Sequence, residues 1–205
     1  MSRQTLAVIL AGGASRRMGV PKALLEWQGK PLLCHVIDCL RPEFSQIVVV
    51  GGEVQDVLPP HVTWLADDQP GVGVAGGILT ALRRYRCPCF VCACDMPFVH
   101  AEFGSWLLEN AHGYAVHVPY WRNRPQPLHA AWFPTAIPLL DQSLQAGVYA
   151  VWRILQRMEE MGVLLRAQEE VVRAFASEGQ CFTNLNTPEE WQRWSMPQQG
   201  GEGTV

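Results

Sequence analysis

Short apolar runs, each stopped by glycines or acids, recur along the chain. Leu6 to Leu10 is apolar throughout and breaks at Gly12-Gly13, which predicts a strand buried on both faces. Ile47 to Val50 stops at Gly51-Gly52, Val62 to Ala66 stops at Asp67-Asp68, and Phe90 to Cys94 runs into Asp95-Met96-Pro97. These are predicted as three further strands. Residues 31–40 carry Leu33, Val36, Ile37 and Leu40 at helical spacing, with Pro31 in the first turn. His35, beside that stripe, reads as a partly buried structural histidine. Helices are predicted over Ile78–Tyr85, Phe103–Ala111, Pro134–Gln145 with a kink near Pro138, and Val148–Met161 with Val151, Ile154, Leu155 and Met158 inward. Tyr114 to Val118 alternates as a strand. Strands and helices alternating at this interval predict an α/β fold, a Rossmann-like, mostly parallel sheet with helices on both faces.

Length adds that residues 1–195 form a single domain, with a polar, glycine-rich tail at 196–205 that reads as disordered. No apolar run reaches a membrane span and the N-terminus lacks a secretory pattern, so a cytoplasmic protein without a membrane partner is expected. Net charge is −3, without the basic excess of a nucleic-acid binder. The seven cysteines are expected as free thiols. Cys87 and Cys89 share one strand parity and Cys92 and Cys94 the other, so one strand cannot turn all four to a zinc ion.

The cations cluster instead. After Leu10-Ala11-Gly12-Gly13 come Arg16, Arg17 and Lys22, a strand entering a small-residue loop with three cations, which is a way to hold a polyphosphate. The spacing is neither a Walker A motif nor Gly-x-Gly-x-x-Gly. Asp95, at the carboxyl end of a strand, suits a Mg²⁺ ion that takes one or two carboxylates, waters and substrate phosphates. Asp67 precedes a loop with glycines at 71, 73, 76 and 77. Near residue 122, Trp121, Arg122 and Arg124 either meet a substrate ring and phosphate or decorate a solvated hairpin tip. Asn184 and Asn186 fall on one face of a predicted short strand, and Thr187-Pro188-x-Glu190 reads as a helix start.

Three motifs carry a resemblance: Leu-Ala-Gly-Gly-x-Ser-x-Arg-Met-Gly-x-x-Lys at 10–22, Cys-Asp-Met-Pro at 94–97 and Phe-x-Asn-x-Asn-Thr-Pro-Glu-Glu at 182–190. Together they resemble the molybdenum cofactor guanylyltransferases, within the nucleotide-diphospho-sugar transferase-like folds. The resemblance implies transfer of GMP from GTP to molybdopterin or molybdenum cofactor, with Mg²⁺ on Asp95. It implies that Lys22 and Arg16 hold phosphate oxygens, that Leu10 to Gly13 and Asp67 contact the nucleotide, and that Asn184, Asn186 or both lie near the metal. A molybdoenzyme or cofactor-insertion protein is an expected recipient of the product. Several positions depart from the family: Pro21 before Lys22, Gly51 for an asparagine, Val74-Ala75 for Pro-Leu, and Val148-Tyr149-Ala150 after Gly147. The first two point towards a cytidylyltransferase of the same fold, and the last two bear on base and pterin contacts. A sugar-phosphate nucleotidyltransferase is a further alternative, and so is a GTP-binding carrier that releases no pyrophosphate, against which the intact set Lys22, Asp95 and Asn186 argues.

Overall fold

The computed structural model describes residues 5–12, 21–187, 190, 191 and 194. The tail at 196–205 lies outside them. In chain order the elements are β1 (Leu6–Leu10), β2 (Glu26–Trp27), β3 (Lys30–Pro31), α1 (Leu32–Leu40), β4 (Gln46–Val50), β5 (Thr63–Leu65), α2 (Val74–Tyr85), β6 (Cys89–Ala93), α3 (Ala101–Glu109), β7 (Val116–Trp121), β8 (Arg124–Pro125), β9 (His129–Trp132), α4 (Ile137–Gln145), α5 (Val151–Glu160), β10 (Leu164–Ala167) and α6 (Glu169–Phe175).

The main sheet runs β10-β7-β9-β6-β1-β4-β5, with β8 paired to β7. Pairings β1–β4, β1–β6, β4–β5 and β7–β10 are parallel, while β9 is antiparallel to both neighbours. All strands of the path except β9 therefore aim their carboxyl ends at one edge. All five residues of β1 are buried, because alternate side chains enter two different cores. Ala7 and Ile9 pack with α1, α3 and α6; Leu6, Val8 and Leu10 pack with α2, α4 and α5. Each fully buried aliphatic side chain contributes roughly 1.5–3 kcal/mol, so β1 is the spine of both layers.

Several elements differ from the sequence expectation. Helix α2 begins at Val74, four residues before Ile78, and takes Gly76 and Gly77 into its first turns. A Cβ on Gly77 would sit 3.0 Å from Leu10 Cδ2. The glycine thus lets α2 settle directly on the end of β1 rather than opening a loop. Pro138 produces no interior kink: it lies in the first turn of α4, after a separate 3₁₀ turn at Pro134–Ala136. Helix α1 starts at Leu32, with Pro31 as its N-cap. Residues 183–186 form no strand. Strands β9 and β10 and helix α6 are additions. β7 turns back at Arg122 and Asn123, both at positive φ as a tight hairpin turn requires. On the return, five residues (126–130) stand opposite Val118 and Pro119, so Gln126-Pro127-Leu128 bulges out near the carboxyl edge.

One polar side chain in the core has a predictable cost. The His129 ring is fully buried, edge-on to Phe90 at 4.8 Å and beside Phe103 and Phe182 at 5.4 Å. Neither ring nitrogen has a hydrogen-bond partner among the described residues. Burial, helped by the nearby His100, pushes its pKa down from 6.5 to about 3. The folded form therefore holds the neutral ring while the unfolded chain takes up a proton below 6.5. His129 then favours unfolding progressively as pH falls from 6.5 towards 3, by about 1.4 kcal/mol per pH unit. Urea melts at pH 7.5 and 5.0 should show this drop in wild type and a smaller one in His129→Phe. Equal drops in both would show that His129 is not its source.

Candidate active site

Lys22 opens a 3₁₀ turn, Lys22–Leu24, behind Pro21, whose φ of −55° directs the chain into it. Ala23 is buried and fixes the turn, so the lysine side chain leaves from an anchored point. Its Nζ donates to Asp95 Oδ2 at 3.0 Å and to Asn186 Oδ1 at 2.6 Å. Both charged side chains of the pair are partly exposed, 21% for Lys22 and 15% for Asp95.

Asp95 follows β6. Cys94 N–H extends the ladder by donating to Leu10 O at 3.1 Å, and the Asp95 carbonyl accepts from Leu185 N–H at 3.0 Å. That second bond ties the C-terminal segment to the end of β6. Leu185 is buried with Trp27 and Leu32 in a satellite core that includes Phe98, Trp191 and Trp194. Beyond it, Glu190 Oε2 accepts from Asn186 N–H (2.7 Å) and Thr187 N–H (3.1 Å), while Thr187 Oγ1 accepts from Glu190 N–H (3.1 Å). This reciprocal cap sets the backbone from which Asn186 reaches the lysine. Asn184 Oδ1 is buried with no hydrogen-bond partner among the described residues, and Asn184 makes no contact with Lys22 comparable to that of Asn186. The thiol of Cys94 stays neutral: burial, and then the Asp95 charge, push its pKa up to about 12.

The other half of the edge lies past β1. Leu10 closes the strand, and Ala11 N–H donates to Val50 O at 2.9 Å, so that donor is used by the sheet and is not free for a ligand. Gly12 is the first exposed position. A Cβ on Gly51 would lie 3.4 Å from Gly12 Cα and 3.8 Å from Asp67 Cβ, so these three residues adjoin. Trp64 Nε1 donates to the carbonyls of Gly51 (3.2 Å) and Gly52 (3.1 Å), holding that turn. Asp67 Oδ1 accepts from Gln69 N–H at 3.0 Å and from Thr80 Oγ1 at 3.1 Å. Gly13 and Arg16, together with Arg17, lie outside the described residues.

Strand order thus lines up Asp95, Gly12, Gly51 and Asp67 just past the carboxyl ends of the neighbouring strands β6, β1, β4 and β5. At about 4.8 Å per strand they span about 14 Å along the edge. The chain order reverses at β1, with β4 on one side and β6 on the other, which is where ligands bind in open α/β sheets. One expectation fails, and a second stays open between its two readings. Trp121 is no free stacking platform: it is buried against Gly179, where a Cβ would meet its ring at 2.3 Å. Arg122 and Arg124 are exposed on the hairpin tip, and the Arg122 backbone is held by Glu169 Oε2 at 3.0 Å. A groove of about 380 Å³ beside α5, with Trp152, Arg153 and Arg157, contains none of the converging residues. Thr80 and Trp64 went unrecognised in the sequence. The one available signal was a threonine inside the otherwise apolar run Ile78–Leu82.

An edge that brings a lysine, an aspartate and an asparagine to the switch point of a mostly parallel sheet defines a nucleotide-handling α/β protein. The chain matches the MobA-like NTP transferase domain over residues 7–161 and belongs to that family. It is similar to a probable molybdenum cofactor guanylyltransferase of Pelotomaculum thermopropionicum, 35% identical, covering 91% of this chain and 90% of that one. A probable molybdenum cofactor guanylyltransferase of Methanosarcina mazei is 32% identical, covering 90% of this chain and 87% of its own. Among solved structures, molybdopterin-guanine dinucleotide biosynthesis protein A from Archaeoglobus fulgidus superposes with a TM-score of 0.80 at 29% identity, covering 93% of this chain and 97% of that one. No helix among the described residues is long and apolar enough to cross a membrane.

Proposed function

We propose that this protein transfers GMP from GTP to the phosphate of molybdopterin or molybdenum cofactor. The observation that carries the reading is the meeting of Lys22, Asp95 and Asn186, from three separate segments, at one point of the carboxyl edge. An acceptor phosphate oxygen forms a bond to the α-phosphorus of GTP. The bond from that phosphorus to the bridging oxygen breaks, and pyrophosphate leaves. The acceptor phosphate is already ionised at neutral pH, so no general base is required. Rate then comes from alignment and charge neutralisation.

Asp95 Oδ2 and Asn186 Oδ1 already hold one cation, the Lys22 ammonium, so the donor set is suited to a cation and consists of hard oxygens. Among the described residues no three His, Cys, Asp or Glu side chains gather, which matches a divalent ion completed by phosphates and water rather than by a protein cage. We assign Mg²⁺ to Asp95, with Asn186 beside it; bound there, it supplies charge stabilisation at the phosphates. Lys22 holds the β- and γ-oxygens, together with Arg16. Gly12 and Gly13 let the triphosphate approach the backbone. The ribose and base extend across Gly51 towards Asp67. Guanine presents two adjacent donors, N1–H and N2–H, to a carboxylate, and neither cytosine nor adenine does so.

The test is pyrophosphate release with molybdopterin and each of GTP, CTP, ATP and UTP. GTP should exceed the others by at least about 10²-fold in kcat/KM, a floor set below the about 10⁴–10⁵ by which a site built to hydrogen-bond a substrate group rejects an analogue lacking it. A preference for CTP would replace the guanylyl reading with a cytidylyl one. GTP binding with no pyrophosphate would leave a carrier.

A further inference from the structure

Thr80 closes the second turn of α2 and is 1% exposed. A threonine inside a helix commonly returns its hydroxyl to the carbonyl four residues back. Here the hydroxyl does something else: it donates to Asp67 Oδ1 at 3.1 Å and accepts from Asp68 N–H at 3.1 Å. Gln69 N–H donates to the same carboxylate oxygen at 3.0 Å, closing a turn around the aspartate. Oδ1 therefore has two donors, one from a buried helix and one from its own loop. Oδ2 makes no hydrogen bond among the described residues, and Asp67 adjoins Gly51 and Gly12 at the nucleotide edge.

We infer that Thr80 is a positioning residue for base selection: it pins one oxygen of Asp67 so that the other is presented, fixed in orientation, to the base edge of the nucleotide. The inference rests on the assignment of Asp67 to the base in the proposed function. A carboxylate held by the loop amide alone can rotate about its Cβ–Cγ bond and offer its oxygens to other donors, such as the single amino group of cytosine. One held from both sides cannot rotate without giving up a buried hydrogen bond. Helix α2 is in turn fixed against β1 by Gly77 on Leu10, so the hydroxyl is referenced to the sheet and not to a loop. A substrate that lacks one of guanine's two donors then leaves Oδ2 partly unpaired, which is how a polar site discriminates.

The experiment measures kcat and KM for GTP, inosine triphosphate, which lacks the 2-amino group, and CTP. Pyrophosphate release is followed in wild type, Thr80→Val, Thr80→Ser and Asp67→Asn, with GTP affinity measured separately by calorimetry and melting by circular dichroism. Thr80→Val should weaken GTP binding and raise its KM about tenfold, the scale of one lost hydrogen bond, with kcat within about twofold. The GTP preference over inosine triphosphate should narrow by a similar factor, and Thr80→Ser should restore both. If Thr80→Val does not fold, Thr80→Ala is read in its place. Wild-type GTP affinity and wild-type base preference in the folded variant would overturn the role of Thr80 if Asp67→Asn still shifts that preference. An unchanged preference in Asp67→Asn would instead overturn the assignment of Asp67 to the base, and the inference with it.

Discussion

Lys22→Ala is expected to lower kcat for pyrophosphate release by about 10²–10³-fold, or about 2.7–4 kcal/mol in the barrier, the size seen when one aimed donor is removed from developing charge. The ammonium is already poised at the carboxyl edge, 3.0 Å from Asp95 and 2.6 Å from Asn186. A short side-chain movement carries it from those oxygens to phosphate oxygens, which are stronger acceptors with more charge. Stability should barely change. The Lys22–Asp95 pair is partly exposed, and pairs of that kind contribute about 0–1 kcal/mol after screening. The melting temperature should therefore stay within a few degrees of wild type while turnover collapses. Lys22→Arg should recover little, because the planar fork does not reproduce a point donor shared between a carboxylate and an amide oxygen. Wild-type pyrophosphate release by a folded Lys22→Ala protein would remove the lysine from the mechanism.

What the sequence discloses here depends on how local the determinant is. Strands β1, β4 and β6 are legible because their burial is continuous and their breaks are glycine or aspartate. The start of α2 is not, because Gly76 and Gly77 look like breakers locally, and only the position of Leu10 explains why a helix needs them. His129-Ala130-Ala131-Trp132 has no β-branched residue, and it becomes a strand because β6 and β7 supply partners on both sides. Trp121 beside two arginines resembles a ligand platform until Gly179, nearly sixty residues away, is seen to cover it. The site follows the same rule. The motifs around Lys22, Asp95 and Asn186 were readable, and the structure brings those three side chains together. Their separate jobs were not readable: Asn184 and Asn186 look equivalent in sequence, but only Asn186 reaches the lysine among the described contacts. Thr80 is a single hydroxyl whose meaning depends on a carboxylate in another segment.

Asp95→Asn changes one oxygen to an amide nitrogen with almost no change of shape, so its effect isolates charge. The half-saturating Mg²⁺ concentration should rise at least about tenfold and kcat should fall about 10²-fold, since one carboxylate is the protein's principal charge toward the ion. The loss should be partly recovered at high Mg²⁺, which a merely misfolded site would not show. Coupling to Lys22 gives a second check. Asp95 is both the proposed metal ligand and the ion-pair partner of the lysine. Removing it therefore disturbs two groups that act on the same triphosphate, and the losses should not add. The double variant Lys22→Ala, Asp95→Asn should be little slower than the slower single variant. Strict multiplication of the two losses would mean that the lysine and the aspartate work at separate places. A magnesium response identical to wild type in Asp95→Asn would leave the Lys22–Asp95 contact as an ion pair alone and move the metal elsewhere along the edge.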